Sequence, residues 1–343
     1  MNSAEPRPAR IPAQGVLCID KPLGWTSRDV VNKVSGILGD RQAGHAGTLD
    51  PAASGVLLVA FGEATKAVRW LMDAPKTYEA VIAFGSATLS DDAASPVVRQ
   101  AALPQPLTSA RLQAALDARS GATLQVPPVV SALQKDGVRD YERVRQGEIV
   151  VREAREVWLG ASEVLEVTET TATVRVTCGA GFYVRALARD LGEDLGSAAH
   201  LAALRRTHAG GFDVSQALTI DALLQLPFEA RRPHLVPLET LMPRLLPTFA
   251  IDRDVARAMV QGKHPQVPED VALEPDQEVL LILREDSGLV CVATAIPEDE
   301  EGPRRLKTVR GFTAAQHLAE RTVESAIEPT PAADSAEPEH GSG

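Results

Sequence analysis

The twelve residues Gly44-His-Ala-Gly-Thr-Leu-Asp-Pro-Ala-Ala-Ser-Gly55 gather three glycines, a histidine and a single carboxylate. Asp50 directly precedes Pro51, and a proline ring pushes the residue before it out of the α region. Asp50 is therefore held in extended or loop backbone with few options. Behind it, Val56-Leu-Leu-Val-Ala-Phe61 is a short apolar run that reads as a buried strand. A lone carboxylate on a stiff loop feeding a buried strand is a side chain that can be aimed. It suits a nucleophile or a general base, and either role needs a cation to keep the carboxylate ionised and in place. The competing reading is a structural aspartate in a Gly-rich turn.

Candidate helpers lie elsewhere in the chain. Arg185 falls in the first turn after Gly179-Ala-Gly181 and is a suitable cation, with Tyr183 two residues earlier. Tyr78 starts a strand and offers an aromatic face and a hydroxyl, while His45 shares the loop with Asp50. On composition alone the tyrosines suit a core and Arg185, Lys21 and Lys66 a solvated surface. The chain has three tyrosines, each beside charged or glycine-rich sequence, which raises their standing as site residues. No His-x-x-x-His pair or carboxylate cluster stands at ligand spacing, so no metal is expected. A serine nucleophile lacks its Gly-x-Ser-x-Gly elbow.

The elements that must position these groups follow from pattern. Gly15–Asp20 reads as a strand and Lys21–Ser27 as a turn. Thr26 or Ser27 caps a helix with Val30, Val31, Val34, Ile37 and Leu38 on one face, ended by Gly39. Residues 63–72 read as helical, and Tyr78–Phe84 alternates as a strand. Residues 85–107 are loop-like; a helix capped by Thr108 or Ser109 follows, closed by Gly121. Residues 125–132 read as extended and 140–147 as a short helix. Residues 162–178 read as a hairpin about Glu169-Thr-Thr171. A helix then carries Val184, Leu187, Ala188 and Leu191 on one face, and Leu201 and Leu204 mark another helix. From Phe249 the texture becomes β-rich, with a helix at 252–261 and strands at 278–283, 289–295 and 306–309.

The formal charge of −11 argues against nucleic acid as partner if taken whole. Residues 322–343 carry five carboxylates and no Lys or Arg, and Glu298-Asp-Glu-Glu301 adds four. Setting both aside leaves a body at −2, which permits a local basic face. Cys18, Cys178 and Cys291 form neither a disulfide framework nor a zinc spacing. No apolar run has the length of a membrane span, and residues 1–10 lack a signal-peptide core. A cytoplasmic protein is expected.

Several of these stretches together resemble the TruB family of tRNA pseudouridine synthases, which modify uridine 55 in the T-loop. They are Lys21-Pro-Leu-Gly-Trp-Thr-Ser27, Gly44–Pro51 with Ser54-Gly55, Gly62-Glu-Ala-Thr-Lys66 and Lys76-Thr-Tyr78. Gln125-Val-Pro-Pro128 with Ser131-Ala132, Cys178–Arg185 with Asp190-Leu-Gly192, and Leu204–Thr207 with Gly211-Phe212 complete the set. Their order and spacing hold over residues 15–240. The segment Gly85–Asp92 departs from the family's glycine-threonine-aspartate pattern, and no site is carried over from it.

The resemblance implies an α+β fold. A mainly antiparallel sheet of the pseudouridine synthase type would span residues 15–247, with an insert at about 85–150. A small β-rich PUA-like RNA-binding domain at 248–314 would follow, between disordered ends at 1–14 and 315–343. It implies Asp50 as the catalytic residue, Arg185 holding its carboxylate and Tyr78 against the target base. Tyr183 would support the pocket, and His45 would fill space opened when nucleotides flip out. Lys21 and Lys66, with Arg205 and Arg206, are candidate RNA contacts. Tyr78 is a candidate base for the proton leaving C5 of the uracil. The implied enzyme binds tRNA at its T-loop and stem and works without cofactor or metal, as a monomer with no obligatory protein partner. Two alternatives share its core: a tRNA-binding folding chaperone with secondary catalysis, and a guide-RNA-dependent relative.

The acidic tail has little to bury. Removing residues 322–343 is expected to shift the melting temperature by no more than a few degrees; a larger loss in a thermal scan would mean that the tail packs.

Overall fold

The computed structural model describes residues 13–129, 152–296 and 304–312, apart from 270, 272 and 275, plus the short ladder at 134–135 and 138–139. The described chain divides at Leu245 and Leu246 into two compact units.

In the first unit, strand β1 (Gly15–Lys21) leads into helix α1 (Ser27–Leu38), then β2 (Ala43–Ala46) and β3 (Ala53–Phe61). Helix α2 (Val68–Asp73) precedes β4 (Lys76–Phe84), the short pair β5 (Ser86–Thr88) and β6 (Val97–Gln100), helix α3 (Ser109–Asp117) and β7 (Gly121–Gln125). The ladder β8 (Gln134–Lys135) and β9 (Val138–Arg139) is followed by β10 (Arg155–Val167), β11 (Thr171–Cys178), helix α4 (Val184–Asp194), β12 (Ala199–Ala209) and β13 (Phe212–Asp213). Nine strands form one sheet along the path β1-β3-β12-β4-β11-β10-β7, with β2 on β3 and β13 on β12. Every pairing is antiparallel except β3 with β12.

Local sequence explains most of this. Thr26 caps α1, its side chain accepting from Asp29 N while Asp29 reaches back to the Thr26 backbone, and Gly39 closes the helix in the left-handed region. The apolar face of α1 packs on β1 and β3 in one core cluster. Alternation along β4 buries Tyr78, Ala80, Ile82 and Phe84 in a second cluster with β11, α3 and α4.

Four expectations need correction. Leu201 and Leu204 belong to a strand, β12, and not to a helix. Its Ala- and Leu-rich sequence favours helix, but the segment pairs with β3 on one side and β4 on the other, and that non-local pairing overrides propensity. Residues 85–107 are not all loop, since β5 and β6 pair within them. The run 63–72 is split, Gly62–Ala67 being 3-10 helix before α2. The chain is tied down before Gly15, because Ala13 is buried and its N–H donates to Asp40 at 2.8 Å. The expected helix at 140–147 and the acidic run at 298–301 lie outside the described residues.

The second unit is a four-stranded sheet in the order β14 (Thr248–Ile251), β15 (Val279–Leu283), β16 (Leu289–Ile296), β17 (Arg305–Gly311), with helix α5 (Arg253–Val260). Parallel strand β14 is an element that pattern did not reveal. No helix among the described residues is long and apolar enough to cross a membrane.

One end of the large sheet holds the Asp50 loop. Lys21, ending β1, stands opposite Gly55 of β3. The Lys21–Ser27 turn therefore lies over residues 49–51, and Gly24 N–H donates to Pro51 O at 2.8 Å. The Ser27 hydroxyl is buried; it accepts from Leu49 N–H at 2.9 Å and donates to Leu49 O at 3.1 Å. Ser27→Ala leaves both backbone groups without this partner, which should cost about 1–3 kcal/mol of stability. Urea unfolding of the variant checks this; an unchanged midpoint would show that the hydroxyl does not hold the loop.

Candidate active site

Asp50 opens onto a cleft of about 340 Å3. Loop residues 47–50, Met72 and Asp73 of α2, Lys76 and Tyr78 of β4, residues 179–185 and Leu204 and Arg206 of β12 line it. The structure thus brings Asp50, Tyr78, Tyr183 and Arg185 to one cavity from three distant stretches of chain.

Arg185 Nη2 lies 3.1 Å from an Asp50 carboxylate oxygen. The two side chains differ in exposure, 10% for Arg185 and 43% for Asp50. The guanidinium is a fixed interior group, whereas the carboxylate keeps a face toward the cleft. Arg185 Nη1 turns the other way, 3.4 Å from Asp92 and donating to Ser90 O at 3.2 Å. Asp92 is itself positioned, accepting from the Ser90 hydroxyl at 2.5 Å. Behind it Arg189 pairs with Asp91 at 2.8 Å and donates to Val126 O at 2.8 Å. Burial pushes the Asp91 carboxyl up, against the pull of Arg189. The segment 85–92 therefore supplies the buried carboxylate behind Arg185.

Tyr183 is fixed by its backbone. The buried Gln125 side chain accepts from Tyr183 N–H at 2.9 Å and donates to Tyr183 O at 3.1 Å. The Gln125-Val-Pro-Pro128 stretch thereby fixes the start of α4. Tyr78 is 9% exposed. Burial raises its phenol above the ordinary range, with Arg206 pulling it down and Cys178 and Asp50 pushing it up. At neutral pH the resting group is the neutral phenol.

Other expected contacts are placed differently. Lys21 is fully buried, and its ammonium donates to Pro22 O at 2.9 Å and Trp25 O at 2.7 Å. It braces the turn and offers no surface for a phosphate. Burial lowers its pKa, and Asp50 partly offsets this. Lys66 pairs with Glu63 at 2.8 Å and lies outside the cleft lining. Arg205 pairs with Asp20 at 2.7 Å. Arg206 is fully buried, its Nε donating to Val56 O at 2.7 Å and Nη2 to Gly47 O at 3.1 Å. His45, on β2, also lies outside the cleft lining; burial, then Arg206 and Arg28, lower its pKa and favour the neutral ring.

Sequence reasoning passed over Asp92, Gln125 and Lys76. The signal for Asp92 was present in the adjacent pair Asp91-Asp92. The signal for Lys76 was its even spacing from Tyr78 on one strand face. Among the described residues, no group of three or more His, Cys, Asp and Glu gathers as for a metal ion.

Residues 35–184 match the TruB family pseudouridylate synthase N-terminal domain, and residues 185–243 the tRNA pseudouridylate synthase B C-terminal domain. The chain is 41% identical over 281 residues to tRNA pseudouridine synthase B of Ralstonia pickettii (strain 12J), covering 80% of this chain and 87% of that protein. It is 38% identical over 313 residues to tRNA pseudouridine synthase B of Cupriavidus metallidurans, covering 89% and 98%. A solved Cbf5-Nop10-Gar1 complex contains a chain that aligns with a TM-score of 0.69 at 25% identity, over 92% of this chain and 93% of that one.

Lys76 yields a pH test. It is buried, and its ammonium donates to Met72 O at 2.6 Å and Ala74 O at 2.8 Å. Burial, then the Arg206 charge, lower its pKa from 10.5 to about 8, opposed by Cys178 and Asp73. Between about pH 8 and the unfolded value near 10.5, the unfolded chain binds the proton and the native chain does not. Stability from this group therefore rises with pH across that window. Relative to Lys76→Met, the parent should gain on the order of a few kcal/mol from pH 8 to 10.5. Urea titrations of both proteins check this, and parallel curves would remove Lys76 as the source.

Proposed function

Because the chain belongs to the TruB family of pseudouridine synthases, we propose that it isomerises uridine 55 in the tRNA T-loop to pseudouridine, with Asp50 as the catalytic carboxylate. The carrying observation is the ion pair of a half-exposed Asp50 with a buried Arg185 at the mouth of a cleft with room for a base. The relatives named tRNA pseudouridine synthase B match over most of both chains and supply the substrate class.

A uracil stacked in a folded loop is out of reach, so it must be extruded into the pocket. Once there, the base is detached from C1′, turned, and rejoined through C5. Arg185 keeps the carboxylate ionised and aimed while this happens. Two roles for Asp50 remain: attack on the base or sugar, or removal of a ribose proton to give a glycal. Tyr78 presents its ring to the base, and Tyr183 backs the cleft wall. The isomerisation conserves every atom and calls for no external reactant, so the reading assigns no cofactor.

Lys21 and Arg206 are buried, so the basic face must come from other residues. Arg28 and Arg41 line an open concavity of about 570 Å3 between α1 and β2, and neither forms an ion pair among the described residues. They are the first candidates for phosphate contacts, with affinity falling as salt rises. The second unit is assigned a supporting role in RNA binding. The reading takes the chain as a stand-alone cytoplasmic monomer, and the name of the relatives at about 40% identity, tRNA pseudouridine synthase B, supports tRNA as its substrate.

Incubation of the purified protein with an unmodified tRNA transcript, followed by pseudouridine mapping, tests the activity and its position. Asp50→Asn tests the mechanism. Asparagine keeps the shape of the side chain, but it is neither a carboxylate nucleophile nor a base. Transfer RNA affinity should stay within about tenfold, or 1.4 kcal/mol, while single-turnover product disappears. Turnover by the variant within tenfold of the parent would take Asp50 out of the mechanism. A joint fall in melting temperature, binding and turnover would make it a structural residue.

A further inference from the structure

Arg206 is a fully buried guanidinium that the reaction scheme above leaves without a task. Two of its nitrogens are anchored on Val56 O and Gly47 O. The third, Nη1, is buried and meets no acceptor at full hydrogen-bond geometry among the described residues, while the Arg206 side chain, by charge and by hydrogen bonding, pulls the Tyr78 phenol down. A buried donor left open is costly unless something uses it. Arg206 on β12 pairs directly with Tyr78 on β4, so their side chains stand on the same face of the sheet. Both line the cleft. The backbone fixes this pairing closely. Gly55 sits opposite Arg206 on β3 with φ +102°, and a Cβ there would come within 2.2 Å of Arg206 O.

We propose that Arg206 is a positioning residue for Tyr78, which holds the phenol in place and takes up its charge while Tyr78 moves a proton between C5 and N1 of the rejoined base. This rests on the uridine isomerisation proposed above. When the detached base rejoins the sugar through C5, that carbon still bears its hydrogen and N1 lacks one. N1 and C5 flank the same carbon, C6, so one hydroxyl lying over that edge can serve both. The phenol gives its proton to the lone pair of N1, leaving a protonated C6=N1 bond and a phenolate. The phenolate then takes the proton from C5, the C5–H pair becomes the C5=C6 double bond, and the C6=N1 π pair returns to N1 as its lone pair. No proton or electron is gained or lost. The resting neutral phenol, favoured by burial, is the form that starts the step. The transient phenolate meets the open Nη1 donor and the guanidinium charge. The other groups acting on the phenol, Cys178 and Asp50, both work against the anion, so Arg206 is the group that favours it.

The test uses the full chain and a tRNA transcript made with either ordinary or C5-deuterated uridine, under single turnover. Arg206→Gln should lower the rate about a hundredfold, as loss of one donor to a developing anion does, with tRNA affinity within threefold. Loss of C5–H should become limiting, so that an isotope effect above about 2 emerges in the variant. In a Tyr78→Phe background the same substitution should add less than threefold, because the two residues act as one unit. Arg206→Lys, which retains the charge, should recover part of the rate. Full additivity with Tyr78→Phe, or a slow Arg206→Gln with no isotope effect, overturns the proposal and makes Arg206 a structural residue; so does a wild-type rate in Arg206→Gln. If Arg206→Gln fails to fold, the lysine variant carries the same isotope and additivity readouts. A parent that leaves every uridine unchanged overturns the isomerase reading, and this proposal with it. An active parent with any of the other negative results overturns this proposal alone.

Discussion

The site depends on one guanidinium shared between two carboxylates. A buried arginine is tolerable only when its charge and donors are met. Arg185 has one nitrogen facing Asp92 and Ser90 O in the interior and another facing Asp50 at the cleft. With Asp92 on the inner side, the charge of Arg185 retains a partner whatever Asp50 is doing. Movement of Asp50 away from Arg185 would then leave no isolated buried cation. A two-residue pair would lack that freedom, since each departure of Asp50 would strand the arginine.

Rigidity comes from elements far apart in sequence that meet at one end of the large sheet. The Lys21–Ser27 turn is stiffened from within by the Lys21 ammonium and grips the Asp50 loop through Gly24 and Ser27. Gln125 does the equivalent for Tyr183. Strand β12 closes the arrangement, because it brings Arg206 between Gly55 and Tyr78. The turn and Gln125 act on backbone, so the cleft side chains are aimed through the chain segments that carry them.

The sequence displays local features well and non-local ones poorly. Asp50 was legible because the following proline restricts its backbone, and α1 because its cap, apolar face and closing glycine agree. Alternation exposed β4 and with it Tyr78. Strand β12 was misread because its identity as strand lies in its neighbours β3 and β4, not in its own composition. That error misplaced Arg206, expected as an RNA contact and found fully buried in the sheet. Lys21 was misread for a related reason. Lysine is usually solvated, and only the turn it braces explains its burial. Asp92 lay in a segment that departs from the family pattern, so its part in holding Arg185 emerged from the fold alone.

The electrostatics of the cleft run opposite to those of the chain. The formal charge is −11, yet Lys76, Arg185 and Arg206 line the cavity against Asp50 and Asp73. The ordinary partner of an RNA enzyme is a polyanion, and the total would repel it if charge acted only as a sum. In physiological salt it does not, because exposed charges more than about 8 Å away are largely screened. Buried cations are screened far less, and their proximity in a low-dielectric wall strengthens their effect on whatever enters. The lowered pKa of Lys76 records that effect, since part of it comes from the charge of Arg206. A neutral base moved into this wall meets a field that favours electron-rich intermediates, independently of carboxylates elsewhere on the surface.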